Sequence, residues 1–495
     1  MNIEKMKEAL IYDKVKNPER TNATFERLEE ILQNTLGGQA EKIIKKIKEE
    51  TPIEKKWEIL TEKKAEKITN ILDEIGLKPQ KLEEIIKQLQ YSEISSSEAL
   101  ALHKKYKIPV SKLEKDIIPV KGDGAWIMDT KGRWYLDMDS NYSATNLGMD
   151  NEELAQGLYN QAKLLVSMKE DRVQIARTRF LKEISTIMPK GLDFFYWQNS
   201  GGEAVDKAIK IAKAYTDTED VIAFKNGFHG RTHGAVAVTW NEKYRKPFHL
   251  AKEKWVHFAD FNDIDSVKQK IEETDAKIII LEIVQGEEAG NKPADPEFIK
   301  KLWKIADEND AVIIDDEVQA GFGRTALHKD DWFACDSYNV VPDIMAIGKS
   351  FGGGYPVTAV VTTEEISDSM QPGYDGSTFG GNPMAMTSSL IATRQMKRKN
   401  ITENVIERSK QIKKGLQKLQ QKFDFMDNLR VTGLMIGFSL SSEENVEKTQ
   451  KYLRKNGVKS SLSTGKYIRF LPPTIISKGE VKRFLQALEK SLEEI

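Results

Sequence analysis

Ala311-Val-Ile-Ile-Asp-Asp-Glu-Val-Gln319 is an apolar run that ends in three consecutive acids. Small and β-branched residues suit a strand buried on both faces of a parallel sheet. Such a strand delivers the acid at its carboxyl end into a cleft, which is where α/β sheets bind ligands. Further on, Val341-Pro-Asp-Ile-Met-Ala-Ile-Gly-Lys349-Ser-Phe-Gly-Gly-Gly-Tyr-Pro356 sets a single lysine before a run of glycines. Taken singly, the two stretches read as an ordinary buried strand and a surface lysine in a Gly-rich loop.

The flanking sequence favours the sheet. Phe194-Phe-Tyr-Trp197, Val221-Ile-Ala-Phe224, Lys277-Ile-Ile-Ile-Leu281 and Ala311-Val-Ile-Ile314 are short apolar runs. Helical patterns over 202–215 and 296–308 separate several of them, which predicts a mostly parallel sheet covered on both faces. Trp126 to Leu136 reads as a hairpin turning at Asp129–Gly132. From Asn400 onward, amphipathic helices and a few strands predict a smaller α+β domain.

Residues 1–115 have another texture: rich in Lys, Glu, Ile and Leu, with apolar residues at helical spacing. Phe25, Leu28, Leu32 and Leu36 form one stripe, stopped by Gly37-Gly38. Thr51-Pro52-Ile53-Glu54 reads as a capping box, with Trp57 and Leu60 on the helix behind it. Ile68, Ile71, Leu72 and Ile75 make a further stripe before Gly76, and Leu82, Ile85, Ile86 and Leu89 another. The expectation is a helical bundle without chemistry over 1–115. The catalytic part then divides into 116–165 and 396–495 for a small domain and 166–395 for a large one.

Composition sets wide bounds. The 495 residues carry 75 Lys plus Arg against 76 Asp plus Glu, giving no charge excess that would point to nucleic acid or an anionic membrane. One cysteine, Cys335, excludes an intrachain disulfide framework and suits a reducing compartment. With no signal-peptide core and no membrane-length apolar run, a cytoplasmic protein is expected. None of the six histidines has metal-ligand spacing, so no metal is expected.

A lysine amine and a strand-end acid are what a pyridoxal enzyme needs. The lysine forms the Schiff base, and the acid keeps the pyridine nitrogen protonated. Asn199-Ser-Gly-Gly-Glu-Ala204 follows a strand and opens a helix, so Ser200, Gly201 and Gly202 would present amides to a phosphate. Alone, it is a plain strand-to-helix turn. Phe228 and His229, in Asn226-Gly-Phe-His-Gly-Arg-Thr232, offer rings for stacking on a planar cofactor, although a buried loop aromatic is the commoner explanation. Gly376-Ser-Thr-Phe-Gly-Gly-Asn-Pro383 is a second small-residue loop with phosphate-binding hydroxyls.

These motifs, in this order from Val120 to the C-terminus, resemble the class III pyridoxal-phosphate aminotransferases of the ornithine, acetylornithine and GABA type. The resemblance implies a fold type I α/β enzyme, with a seven-stranded large domain and a small α+β domain behind the extra helical region. It implies pyridoxal 5'-phosphate as cofactor, Lys349 as the Schiff-base lysine, Asp316 as the pyridinium partner and Gln319 beside the phenolic oxygen. Gly201 and Gly202 would bind the phosphate, Phe228 would stack, and Thr378 would reach the phosphate of a neighbouring subunit. Substrate contacts would fall to Tyr142, Arg231, Ser377 and Arg469, with Glu287 gating that last arginine. A homodimer, or a dimer of dimers, moving a terminal amine from an amino acid or diamine to a 2-oxo acid is expected. An aminomutase or an amino-acid racemase of the same fold shares the motifs. A third reading joins a helical binding module to a retired catalytic domain. Gly148-Met-Asp-Asn-Glu-Glu153 departs from the Gly-His-x-His-Pro of many relatives, which leaves the substrate open.

Overall fold

The computed structural model describes residues 3–11, 23–51, 53, 60–91, 94–461 and 465–495. The chain divides into two compact units, 1–122 with 126–135, and 123–125 with 136–495.

The first unit is helical. Phe25–Leu36 starts at Thr24, whose side chain accepts from the Arg27 amide, and stops at Gly37 with φ 55°. Glu62–Glu74, capped by Thr61, and Pro79–Tyr91 carry the other two expected stripes. Ile3–Leu10, Ala40–Glu50 and Ser96–Tyr106 add helices that the stripes did not single out. Met6, Phe25, Leu28, Leu32, Ile47, Ile68, Ile85 and Leu89 share one apolar core. Of the expected capping box, Pro52 and Glu54 lie outside the described residues, as does Trp57, and Thr51 closes the Ala40–Glu50 helix. The unit runs beyond residue 115 and takes in the 126–135 hairpin, for a visible reason. The fully buried Arg27 guanidinium donates to Gln88 O at 3.2 Å and Thr130 O at 2.9 Å, and Ser96 Oγ lies 2.6 Å from Thr130 Oγ1.

In the second unit a seven-stranded sheet is formed by β1 (Phe194–Gln198), β2 (Val221–Phe224), β3 (Val256–Ala259), β4 (Ile278–Leu281), β5 (Val312–Asp316), β6 (Ile344–Ile347) and β7 (Thr358–Thr362). Their order is β1-β7-β6-β5-β4-β2-β3, and only β7 runs against its neighbours. Helix Gly201–Thr216 packs Ala204, Val205, Ala208 and Ile211 on one face, with Ile278, Ile280, Ile314 and Ile344 in the same core. β3, β6 and β7 escaped the apolar-run reading. β3 is a half-buried edge carrying His257, β6 is four residues long, and β7 begins and ends in threonine. Toward the C-terminus, Met426–Thr432, Met435–Leu440 and Tyr467–Phe470 form an antiparallel sheet that pairs Arg469 with Gly437. No described helix is long and apolar enough to cross a membrane.

Candidate active site

The carboxyl ends of β4, β5 and β6 converge on one cleft of about 420 Å³. It is lined by Lys349, Asp316, Gln319, Glu282 and Glu287, and by the loops holding Ser200–Gly202 and Phe228–Thr232. Side chains alternate along a strand, so the three acids of the opening stretch part company. Asp316 Oδ2 lies 2.9 Å from His229 Nδ1, and Oδ1 accepts from the Val318 amide at 3.2 Å. Asp315 and Glu317 form a separate, fully buried group with Cys335, their ligating atoms within 4.8 Å of one another. Burial and mutual repulsion raise the Asp315 carboxyl well above its usual range. Burial likewise pushes Glu317 up to about 8. Histidine spacing could not reveal this group, because it is built from two acids at the end of β5 and a cysteine distant in sequence.

Glu282, at the end of β4, was missed from sequence, yet it carries the same signal as Asp316: an acid closing a buried strand. It accepts from the Phe228 amide at 2.8 Å and the Gly286 amide at 3.3 Å. Burial pushes its carboxyl up to about 7, against the pull of His229. For His229, burial disfavours the imidazolium, but the hydrogen bond and charge of Asp316, with Glu282 beyond, outweigh that and raise its pKa. Lys349 follows Gly348 and stands at φ 47°. Burial lowers the pKa of its amine, and Arg469 adds to this, while Glu287, Asp316 and Glu282 oppose it. A depressed amine is closer to the neutral form that acts as nucleophile and base.

The phosphate cradle is partly occupied by the protein itself. Ser200 and Glu203 form a capping box, in which Glu203 Oε2 accepts the Ser200 amide at 2.8 Å. That leaves the amides of Gly201 and Gly202 at the helix N-terminus. A Cβ on Gly202 would come within 2.9 Å of Thr232 Oγ1, and one on Gly230 within 2.7 Å of Gly202 Cα, so backbone alone fits there. Among the described residues, the buried His229 Nε2 and Gln319 Oε1 have no hydrogen-bond partner. A helix-end anion site, a ring-nitrogen acid, a lysine amine and orphaned polar atoms in one cleft fit pyridoxal phosphate.

Glu287 Oε2 lies 3.0 Å from Arg469 Nη2, and Arg469 is fully buried on its strand. Arg231 also lines the cleft. Ser377 and Thr378 do not: they line a different pocket of about 580 Å³ with Asn199, Lys207, Lys210 and Trp255. Tyr142 is not among the cleft-lining residues either. It stands in a run of four left-handed residues, Ser140, Asn141, Tyr142 and Ser143, with φ of 43°, 50°, 55° and 79°. Arg324, also missed from sequence, holds this run. Its buried guanidinium donates to Ser143 Oγ, to Asn146 Oδ1, to Ser140 Oγ at 3.2 Å and to Leu434 O at 3.1 Å. Ser350, next to Lys349, donates to Ser143 O at 3.0 Å.

The family model for Aminotransferase class-III matches residues 108–492. The chain belongs to the class-III aminotransferases. Within that family it is 35% identical over 409 residues to a [LysW]-aminoadipate semialdehyde transaminase of Deinococcus radiodurans, covering 82% of this chain and 92% of the other. To an acetylornithine aminotransferase of Caldanaerobacter subterraneus it is 36% identical, over 77% of this chain and 95% of the other. The ornithine aminotransferase of Toxoplasma gondii superposes with a TM-score of 0.76 at 23% identity, over 86% of this chain and 98% of that one. This class-III aminotransferase is thus a pyridoxal-phosphate-dependent transaminase of fold type I.

Proposed function

We propose that the enzyme moves a terminal amine, from an ornithine-, acetylornithine- or lysine-type donor carrying a carboxylate, to 2-oxoglutarate or a similar 2-oxo acid. The Glu287–Arg469 pair beside Lys349 carries this reading. A donor presenting a terminal amine has no carboxylate for Arg469, and Glu287 neutralises the guanidinium in its absence. When a 2-oxo acid enters, release of Glu287 frees Arg469 to take its carboxylate in a bidentate fork. Bound pyridoxal phosphate supplies a protonated ring that accepts the electron pair left when the donor carbon loses its proton. Lys349 removes and returns that proton, Asp316 holds the ring nitrogen protonated, and His229 holds Asp316 in place. Gly201 and Gly202 would hold the phosphate, and Phe228 and Gln319, which line the same cleft, would hold the ring. Ser377, which lies outside the cleft of its own chain, would reach substrate from a second copy, and Tyr142 would reach it only if the 140–143 run turned toward the cleft.

The site is completed by a second copy. Lys207 Nζ, 2.6 Å from Asp375 Oδ1, and Lys210 tether the loop that carries Ser377 and Thr378. Gln174 Nε2 donates to Gly381 O at 3.1 Å, joining that loop to a segment where Val173 is 94% and Leu164 81% exposed. An exposed apolar patch beside a loop bearing displaced phosphate ligands suits a homodimer interface. The buried thiol of Cys335 and the absence of a disulfide framework suit the cytoplasm.

Ornithine, acetylornithine, lysine, GABA and putrescine would be screened as donors against 2-oxoglutarate and pyruvate. Amino transfer from a terminal-amine donor is expected, ending after one turnover when the oxo acid is omitted. Repeated turnover without an oxo acid would mean an isomerase instead. Mixing Lys349→Ala with Thr378→Val subunits should restore activity that each lacks alone. A monomer active at high dilution would overturn the composite site.

A further inference from the structure

We infer that Glu288 and Tyr244 are positioning residues for Arg231, and that through it they select carboxylate-bearing amine donors over plain diamines. The inference rests on the donor class proposed above. The Arg231 guanidinium carbon lies 4.1 Å from the Tyr244 ring centroid and 5.3 Å from that of Phe228. The two rings meet edge to face with centroids 5.7 Å apart. Among the described residues, Arg231 has these ring contacts but no carboxylate partner.

Tyr244 is itself fixed. Its hydroxyl donates to Glu288 Oε1 at 2.7 Å, Asn241 Nδ2 donates to Glu288 Oε2 at 2.7 Å, and Lys243 Nζ stands 3.3 Å from Oε1. The Glu288 side chain is 4% exposed. Burial works to raise its pKa, but Asn241, Tyr244 and Lys243 more than offset this, so its carboxyl lies below the usual range. A phenol donating to a carboxylate has an electron-richer ring, and the pull of that ring on a guanidinium grows accordingly. Arg231 lines the cleft and Arg469 stands behind the cleft-lining Glu287, so the two arginines are in different states. Arg469 is neutralised by Glu287, whereas Arg231 is held by rings and keeps its N–H fork available for a planar carboxylate.

Adjacent acids thus have separate duties: Glu287 silences one guanidinium, and Glu288 steadies the ring that carries the other. Sequence reasoning saw Glu287 through its motif and passed over its neighbour.

The test uses the full-length holoenzyme, with ornithine and putrescine as donors that differ by one carboxylate. Calorimetry with pentanoate, a carboxylate lacking the amine, reads the same contact without turnover. Tyr244→Phe and Glu288→Gln should each weaken pentanoate binding and raise the ornithine KM about three- to tenfold, the size a ring–cation contact carries. Ornithine kcat and putrescine KM should stay within about twofold of wild type on the same scale. Unchanged pentanoate affinity in both variants, or equal losses for both donors, would overturn the inference. If wild type used neither donor but the variants still lost pentanoate affinity, the donor class above would fall and the positioning role would stand.

Discussion

Charge is buried in both units, but under different terms. In the helical unit the buried charged residues among those described are Arg27, whose hydrogen bonds join helix and hairpin, and Asp129, held within the hairpin by Arg133 and Tyr135. In the catalytic unit Glu282, Asp315, Asp316, Glu317, His229, Arg324 and Arg469 are all buried, with Lys349 at the cleft among them. Several of these titrate far from their ordinary ranges. Burying charge is expensive unless it is fully paired. A unit that tolerates so much of it in one place spends stability on chemistry; the helical unit spends almost none.

The largest test of this contrast is Lys349→Ala. Losing both the covalent link and the proton carrier should lower kcat by about 10⁴-fold or more, with the circular-dichroism melting curve little changed. Near wild-type turnover would remove the centre of the site. Asp316→Asn should lower kcat by roughly 10²- to 10³-fold, because the ring nitrogen loses its counter-charge while the lysine remains. If it matched wild type, His229 and Glu282 would have to be serving the ring without it.

Glu282→Gln sharpens the contrast on the stability side. Its folded pKa of about 7 lies above the 4.5 of a free glutamate, so the neutral carboxyl is the form that the fold favours. The associated stability is present in full below pH 4.5 and is lost as pH rises through about 7. The cofactor-free Gln variant should therefore unfold about 1–3 kcal/mol less readily than wild type at pH 8, with the gap closing by pH 4.5. Turnover should fall about tenfold, since the same acid anchors the Phe228 loop. Greater stability without any loss of rate would make Glu282 a structural acid, like Asp129.

The smallest effect on rate is expected from Leu32→Ala in the helical core. It should cost about 2–5 kcal/mol of local stability, seen in urea melts, and leave kcat and KM within about twofold. A large kinetic effect would give the helical unit a part in the chemistry.

Much of this was open to sequence reasoning because its signals are local. Apolar stripes closed by Gly37 and Gly76 marked helices, and acids and glycines at strand ends marked the cleft. What stayed hidden was relational. Arg324 looks like one residue of a Gly-Phe-Gly-Arg-Thr loop until the fold brings Ser140, Asn146 and Leu434 to it. Tyr244 and Glu288 lie in different segments, and only tertiary contact pairs them. β3 carries no continuous apolar run because it sits at the sheet edge with His257 half-exposed. The 126–135 hairpin was expected on the catalytic side of the chain. It sorts with the helices through one buried arginine that composition cannot place.

The left-handed run at 140–143 bears on the order in which the enzyme is made. Each such non-glycine residue sits about 1–2 kcal/mol above the right-handed form, so the run will not form until its anchors exist. Those anchors are late arrivals: Ser350, Leu434 and finally Leu471, whose carbonyl accepts from Ser140 Oγ across 331 residues of chain. Contacts closing loops of that length come after local ones in folding. On the ribosome, the helical unit would be complete while the 140–143 run beside Ser350 still lacked its anchors. A chain truncated shortly before Leu471 would then emerge with every cofactor motif translated and no finished site to hold the substrate.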